Sequence, residues 1–117
     1  PFAAFTGAAR VPIGGIWSDP EAKAIYLEAV AEVEAVARAA GIALPPAMPA
    51  RVAAYVDAIP SSTRSSLLID LSEGKRIEVE SLPGSVVRRG RAVGVPTPMM
   101  AALYAVLRPH AAGQRPT

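Results

Sequence analysis

Residues 65–98 read SSLLIDLSEGKRIEVESLPGSVVRRGRAVGVPTP, and the order of apolar residues, glycines and prolines in this stretch sets the fold class. Leu67, Leu68 and Leu71 follow helical spacing until Gly74 breaks the run. Val79, Leu82, Val86 and Val93 then recur at helical steps, so the spacing predicts a second helix with one apolar face, beginning at about Glu78. Gly94 and Pro96 stop it, Thr97 offers a capping hydroxyl, and Pro98 suits the first position of a third helix. Two helices are therefore expected to meet at residues 74–77, with Ser66 and Glu78 on either side. That junction is the candidate site.

Upstream, residues 1–9 suit the tail of a helix, whereas Pro12, Gly14 and Gly15 predict a turn or irregular piece over 11–17. Ser18-Asp19-Pro20-Glu21 is a helix start: a cap, a proline at the first position and an early acid. The helix is expected to run from Pro20 to Ala40, with Ile25, Ala29, Val33, Val36 and Ala40 inward and Glu28, Glu32, Glu34 and Arg38 in water. Residues 43–49 carry three prolines and connect to a shorter helix, about 50–59, with Val52, Tyr55, Val56 and Ile59 inward. Ser61, Ser62 and Thr63 are placed to cap the helix of Ser66, the last helix spans about 98–107, and 110–117 reads as a frayed tail. No segment suggests a strand. The expected fold is all-α, a single helical domain over 1–117.

Composition narrows the function. With 117 residues, 51% of them hydrophobic but only 5% aromatic, closely packed alanine-rich helices are favoured over a sheet. Cysteine is absent, which excludes disulfides and thiolate chemistry, and His110 is the one histidine, so no metal site is expected. A net charge of +2 is too small to imply nucleic acid. No apolar run approaches the ~20 residues that span a bilayer. The chain opens PFAAFTGAAR, with no methionine before Met48, and is read as a fragment lacking an upstream partner.

Residues 66–98 resemble the C-terminal domain of the ketopantoate reductase (2-dehydropantoate 2-reductase) family, whose pattern is roughly S-M-x-x-D-x-x-x-G-R-x-T-E-I-D-x-L-N-G-x-V-V-R-x-G-R-x-x-G-V-P-T-P. Ser66, Asp70, Gly74, Glu78, Leu82, Gly84, Val86, Val87, Arg88, Gly90, Arg91 and Gly94–Pro98 match in register. The segment PIGGIWSDPEAKA resembles the family's P-x-G-x-I-x-x-D-P-E-x-R-A. The resemblance implies a compact domain like the helical C-terminal domain of 6-phosphogluconate dehydrogenase. It further implies an NADPH-dependent reductase of pantothenate biosynthesis, cytoplasmic and homodimeric. In it, hydride passes from NADPH to a 2-keto carbon while a lysine protonates the oxygen.

By that resemblance Glu78 is a catalytic residue in the active-site cleft, near the reacting carbonyl and cofactor, and Ser66 donates to the substrate carboxylate. Read from the residues alone, Glu78 is a solvated acid complementing a helix dipole and Ser66 an ordinary hydroxyl bonded back to its helix. Asp70 has a structural role, Lys75 and Arg76 are solvated loop charges, and Arg88, Arg89 and Arg91 form a basic face. Three departures stand out. Pro83 replaces the asparagine of Asn-Gly and should kink or restart the helix, Ile13 replaces the substrate-touching asparagine of P-N-G, and the family lysine would precede Pro1. Ile13 and Pro83 suggest a more apolar 2-keto acid. No strand followed by G-x-G-x-x-G is present, so NADPH is expected to be held by an absent Rossmann domain, and the chain alone to be inactive. The competing expectation is a non-enzymatic helical dimerisation or interaction domain.

Overall fold

The computed structural model describes residues 1–113. Among them the chain forms seven α-helices and no strand: α1 (Phe2–Ala9), α2 (Ile13–Trp17), α3 (Pro20–Ala39), α4 (Met48–Ala58), α5 (Ser66–Ser72), α6 (Pro83–Val93) and α7 (Pro98–Leu107). A 3-10 turn, Arg108–His110, follows α7. The all-α expectation is met. Helix starts are marked chemically: prolines occupy the first or second position of α3, α4, α6 and α7, where a missing N–H loses nothing. The Asp19 carboxylate also accepts from the Glu21 amide at 3.1 Å, capping α3 as its sequence foretold.

The long α3 is the axis, packed by α2 and α4 on one side and by α6 and α7 on the other. Two apolar clusters result. One gathers Ala4, Ala29, Leu67, Ile77, Val79, Val87, Met100 and Leu107, and the other Ile13, Ile16, Tyr26, Val30 and Val56. Phe5 packs against both. α1 and α5 lie so close that a Cβ on Gly7 would overlap the Leu67 side chain. Gly90 plays the same part in α6, where a Cβ would sit 2.8 Å from the Val95 carbonyl and from the Thr97 methyl.

Several local expectations are corrected. Residues 13–17 form a short helix, because the Ile13 and Gly14 amides bond to the Thr63 and Ser61 carbonyls while Ile13 and Ile16 bury in the core. The second helix of the deciding stretch starts at Pro83 rather than at Glu78. The run Ile77-Glu78-Val79-Glu80 alternates buried and exposed, and a buried proline at the helix start makes a beginning, not a kink. On α3 the buried residues are Tyr26, Ala29, Val30 and Val36, with Ile25 half-buried and Ala40 exposed. Tyr55 is 65% exposed, since α4 rests mainly on α3 and buries a narrower stripe than its apolar residues could cover. The supposed tail is docked as far as Gly113: the Ile77 amide bonds to the Ala111 carbonyl, and Gly113 is buried. Residues 114–117 lie outside the described residues.

Candidate functional site

Ser66 opens α5, and the residue before it anchors the helix. Ser65 is the N-cap, its Oγ accepting from the Leu68 amide at 3.1 Å. The cap is thus Ser65, not Ser61, Ser62 or Thr63. The last of these donates its hydroxyl to the Pro60 carbonyl instead. Leu67 and Leu68 turn inward, which leaves Ser66 facing outward with its hydroxyl in no hydrogen bond among the described residues. The expectation that it bonds back to its helix is not met.

Glu78 is held outward by its neighbours. Ile77 and Val79 are 7% and 1% exposed, and the Val79 amide closes back onto the Ile77 carbonyl at 3.0 Å. That bond closes a three-residue turn with Glu78 at its centre, and with both flanking side chains buried the Glu78 side chain is left to solvent. The Glu78 carboxylate accepts from the Ser81 hydroxyl at 2.8 Å. Because α6 begins five residues on, at Pro83, Glu78 stands outside the first turn where a helix dipole acts.

Leu67, Ile77 and Val79 share one cluster, so Ser66 and Glu78 stand over the same core, but no bond joins their side chains. Neither lines the apolar groove of about 540 Å3 beside Phe2, Tyr26, Met48 and Leu82, nor the pocket of about 390 Å3 beside Arg10, Gly74 and His110. Both present their polar atoms on open surface. Asp70 is half-buried, and its backbone carbonyl accepts from the Lys75 amide. Lys75 pairs with Glu73 at 2.8 Å and Arg76 is exposed. Ile13, by contrast, is 1% exposed inside the second cluster. It faces no ligand surface, which removes the ground on which it suggested an apolar substrate.

Three polar assemblies escaped the sequence reading. Glu80 accepts from the Tyr104 hydroxyl at 2.5 and 2.7 Å and pairs with Arg88 at 2.9 Å, while Arg88 also donates to the Glu80 carbonyl at 2.6 Å. The Tyr104 hydrogen bond and the Arg88 guanidinium hold the Glu80 carboxyl below the usual carboxylate range, and Glu80 in turn raises the Tyr104 phenol. Arg88 is therefore engaged, and only Arg89 and Arg91 of the basic face remain simply exposed. Glu32, read as a solvated residue, reaches from α3 to accept from the Met99 and Met100 amides at 2.8 and 3.0 Å. It does the capping expected of Thr97, whose side chain caps nothing. Finally, the buried Thr6 and Ser65 hydroxyls meet at 2.6 Å. The I-E-V-E alternation was the one sequence signal that could have placed Glu80 outside a helix.

Residues 1–111 match the family model described as Ketopantoate reductase PanE/ApbA C terminal. A 2-dehydropantoate 2-reductase from Pyrobaculum aerophilum is 32% identical over 105 residues, covering 90% of this chain and 37% of that protein. One from Caulobacter vibrioides is 36% identical over 93 residues, covering 80% of this chain and 32% of that protein. The chain thus spans about a third of the length of these relatives. The crystal structure of a PanE/ApbA family ketopantoate reductase from Ralstonia eutropha superposes with a TM-score of 0.82 at 32% identity, over 92% of this chain and 36% of that one. A dimeric ketopantoate reductase from Staphylococcus aureus shares the fold with a TM-score of 0.87 at 22% identity, over 94% of this chain and 38% of that one. With the match running through every helix from α1 to α7, this chain belongs to the ketopantoate reductase family, as its C-terminal domain.

Proposed function

We propose that residues 1–117 form the substrate-binding and dimerisation domain of a cytoplasmic, NADPH-dependent reductase of ketopantoate or a close 2-keto acid. The supporting observation is the pair Ser66 and Glu78: both sit at motif positions of the family, above one core cluster, on surface that offers no enclosed cavity of its own. Such an arrangement makes one wall of a cleft and needs a second. Ser66 is suited to donate to a substrate carboxylate. Glu78 is suited to lie near the reacting carbonyl, with Ser81 orienting its carboxylate. The described residues contain no strand leading to a glycine-rich turn, so they do not fit a dinucleotide, and NADPH would be held by a nucleotide domain elsewhere in the longer polypeptide. Homodimerisation is proposed because the Staphylococcus aureus protein of the same fold is described as dimeric.

Kinetics of the complete reductase test this reading. Glu78→Gln is expected to lower kcat/KM at least tenfold, about 1.4 kcal/mol of transition-state stabilisation, while shifting stability by no more than about 0.5 kcal/mol, as for other exposed residues. Ser66→Ala is expected chiefly to raise KM for the keto acid, because its partner is the carboxylate and not the reacting carbonyl. Wild-type kcat/KM in Glu78→Gln would refute the catalytic role.

A further inference from the structure

We propose that Thr6 is a positioning residue for Ser66, acting through a buried line of hydroxyls that sets how the chain enters α5. The inference rests on the reading of Ser66 as a substrate contact. Thr6 and Ser65 are 0% and 6% exposed, on helices that pack without room for a Cβ at Gly7. The Thr6 hydroxyl donates to the Phe2 carbonyl at 2.8 Å. A hydroxyl carries one proton, so the 2.6 Å contact between the two side chains is donated by Ser65. Ser65 in turn accepts from the Leu68 amide at 3.1 Å. The line therefore has a single direction: Leu68 amide to Ser65, Ser65 to Thr6, Thr6 to the Phe2 carbonyl.

Both hydroxyl protons and one acceptor lone pair on each hydroxyl are used, and the links from Leu68 to Ser65 and from Ser65 to Thr6 are buried. Ser65 holds φ −75° and ψ 158°, the extended conformation from which the chain turns into α5 at Ser66. Ser66 makes no side-chain bond of its own among the described residues. Its place over the candidate cleft is consequently set by the backbone at Ser65, and Ser65 is registered against α1 by Thr6.

In the complete reductase, Thr6→Val keeps the shape and removes the donor and acceptor. It is expected to raise KM for the 2-keto acid about tenfold, equivalent to about 1.4 kcal/mol, with kcat within about twofold of wild type. Thr6→Ser restores the hydroxyl and is expected to bring KM back. In a Ser66→Ala background Thr6→Val is expected to add nothing to KM. If it fails to fold, Ser65→Gly cuts the same link from the other side, with a residue still tolerated as a cap, and is expected to act alike. A KM that rises in Ser66→Ala but stays at the wild-type value in Thr6→Val, or a further tenfold rise in the double variant, overturns the positioning role. An unchanged KM in Ser66→Ala refutes the substrate role of Ser66 itself, and the positioning role with it.

Discussion

Glu80 shows how an exposed side chain can matter through geometry. It is more than half exposed, yet it joins the loop before α6 to Arg88 on α6 and to Tyr104 on α7, with Arg108 3.9 Å away. Gly84 makes room for it, since a Cβ there would stand 3.0 Å from both Glu80 Oε2 and the Arg88 guanidinium. The carboxyl is held below its ordinary value, so its contribution to stability is present above the unfolded carboxylate range and is lost as pH falls through the lower folded value. The Tyr104 phenol is raised, so its share is present below the ordinary tyrosine value of 10.0 and is lost as pH rises through the folded one. Melting temperatures of the wild type should exceed those of Glu80→Gln most near neutral pH, and the difference should shrink toward acid. Burial also raises Tyr26, to about 12, so the alkaline arm needs Tyr104→Phe to isolate the share of Tyr104. A gap between wild type and Glu80→Gln that is constant from acid to neutral pH would show that the ionisation of Glu80 contributes nothing to stability.

Among the elements, α7 depends on α3 for its start. Its N-cap, Thr97, makes no side-chain bond to the helix, and the free amides of Met99 and Met100 are met by both oxygens of Glu32. A carboxylate at a helix N-terminus gains from the dipole as well as from the hydrogen bonds. Glu32→Ala should therefore destabilise the domain by about 1–2 kcal/mol, the size of a lost N-cap, measured by urea unfolding. A midpoint unchanged by the substitution would mean that water replaces the carboxylate at no loss. Helix α6 is a second case. Gly90 is a poor helix former by about 1 kcal/mol relative to alanine. A larger residue is excluded there by the close approach of the Val95 carbonyl and the Thr97 methyl, and Val36 of α3 would lie 3.4 Å from an added Cβ.

The two apolar clusters would behave as separate bodies were it not for Phe5 and α3, which take part in both. The Phe5 ring lies tilted 5.1 Å from Tyr26, and Tyr26 meets Trp17 edge-on at 5.5 Å, so Phe5 ties the first cluster to the aromatic rings of the second. Unfolding should accordingly be a single transition. Phe5→Ala should lower stability by about 2–3 kcal/mol, less than the ~3–5 of a fully buried ring, and broaden the melt if the clusters uncouple. Far-ultraviolet and tyrosine signals that melt at different temperatures in the wild type would contradict the coupling. At the same scale, calorimetry on the 117-residue chain alone should register no micromolar binding of NADPH, because its helices supply no phosphate-cradling turn. Micromolar binding would refute the division of labour proposed above.

What the sequence determined by itself was whatever short-range chemistry decides. Asp19-Pro20 starts α3, Gly94 with a left-handed φ of 72° ends α6, Pro98 starts α7, and the helical period leaves no place for a sheet. The family motif was legible for the same reason: its residues are mostly stops, starts and close-packing glycines in fixed register. Ser66 and Glu78 could be named from that motif, but not their settings. Whether a residue faces the core depends on what packs against it, so Tyr26 displaced Ile25, Ile13 went into the core, and Tyr55 stayed out. The partners of Glu32, Glu80 and Thr6 lie 67, 24 and 59 residues away, and no local period encodes a hydrogen bond across such a gap. Only the packing of α1 on α5, of α3 on α7 and of the loop before α6 on α7 brings those groups within 3 Å. For the buried Thr6–Ser65 pair the desolvation of unpaired hydroxyls makes the pairing obligatory, whereas the exposed Glu80 is held by charge-assisted hydrogen bonds.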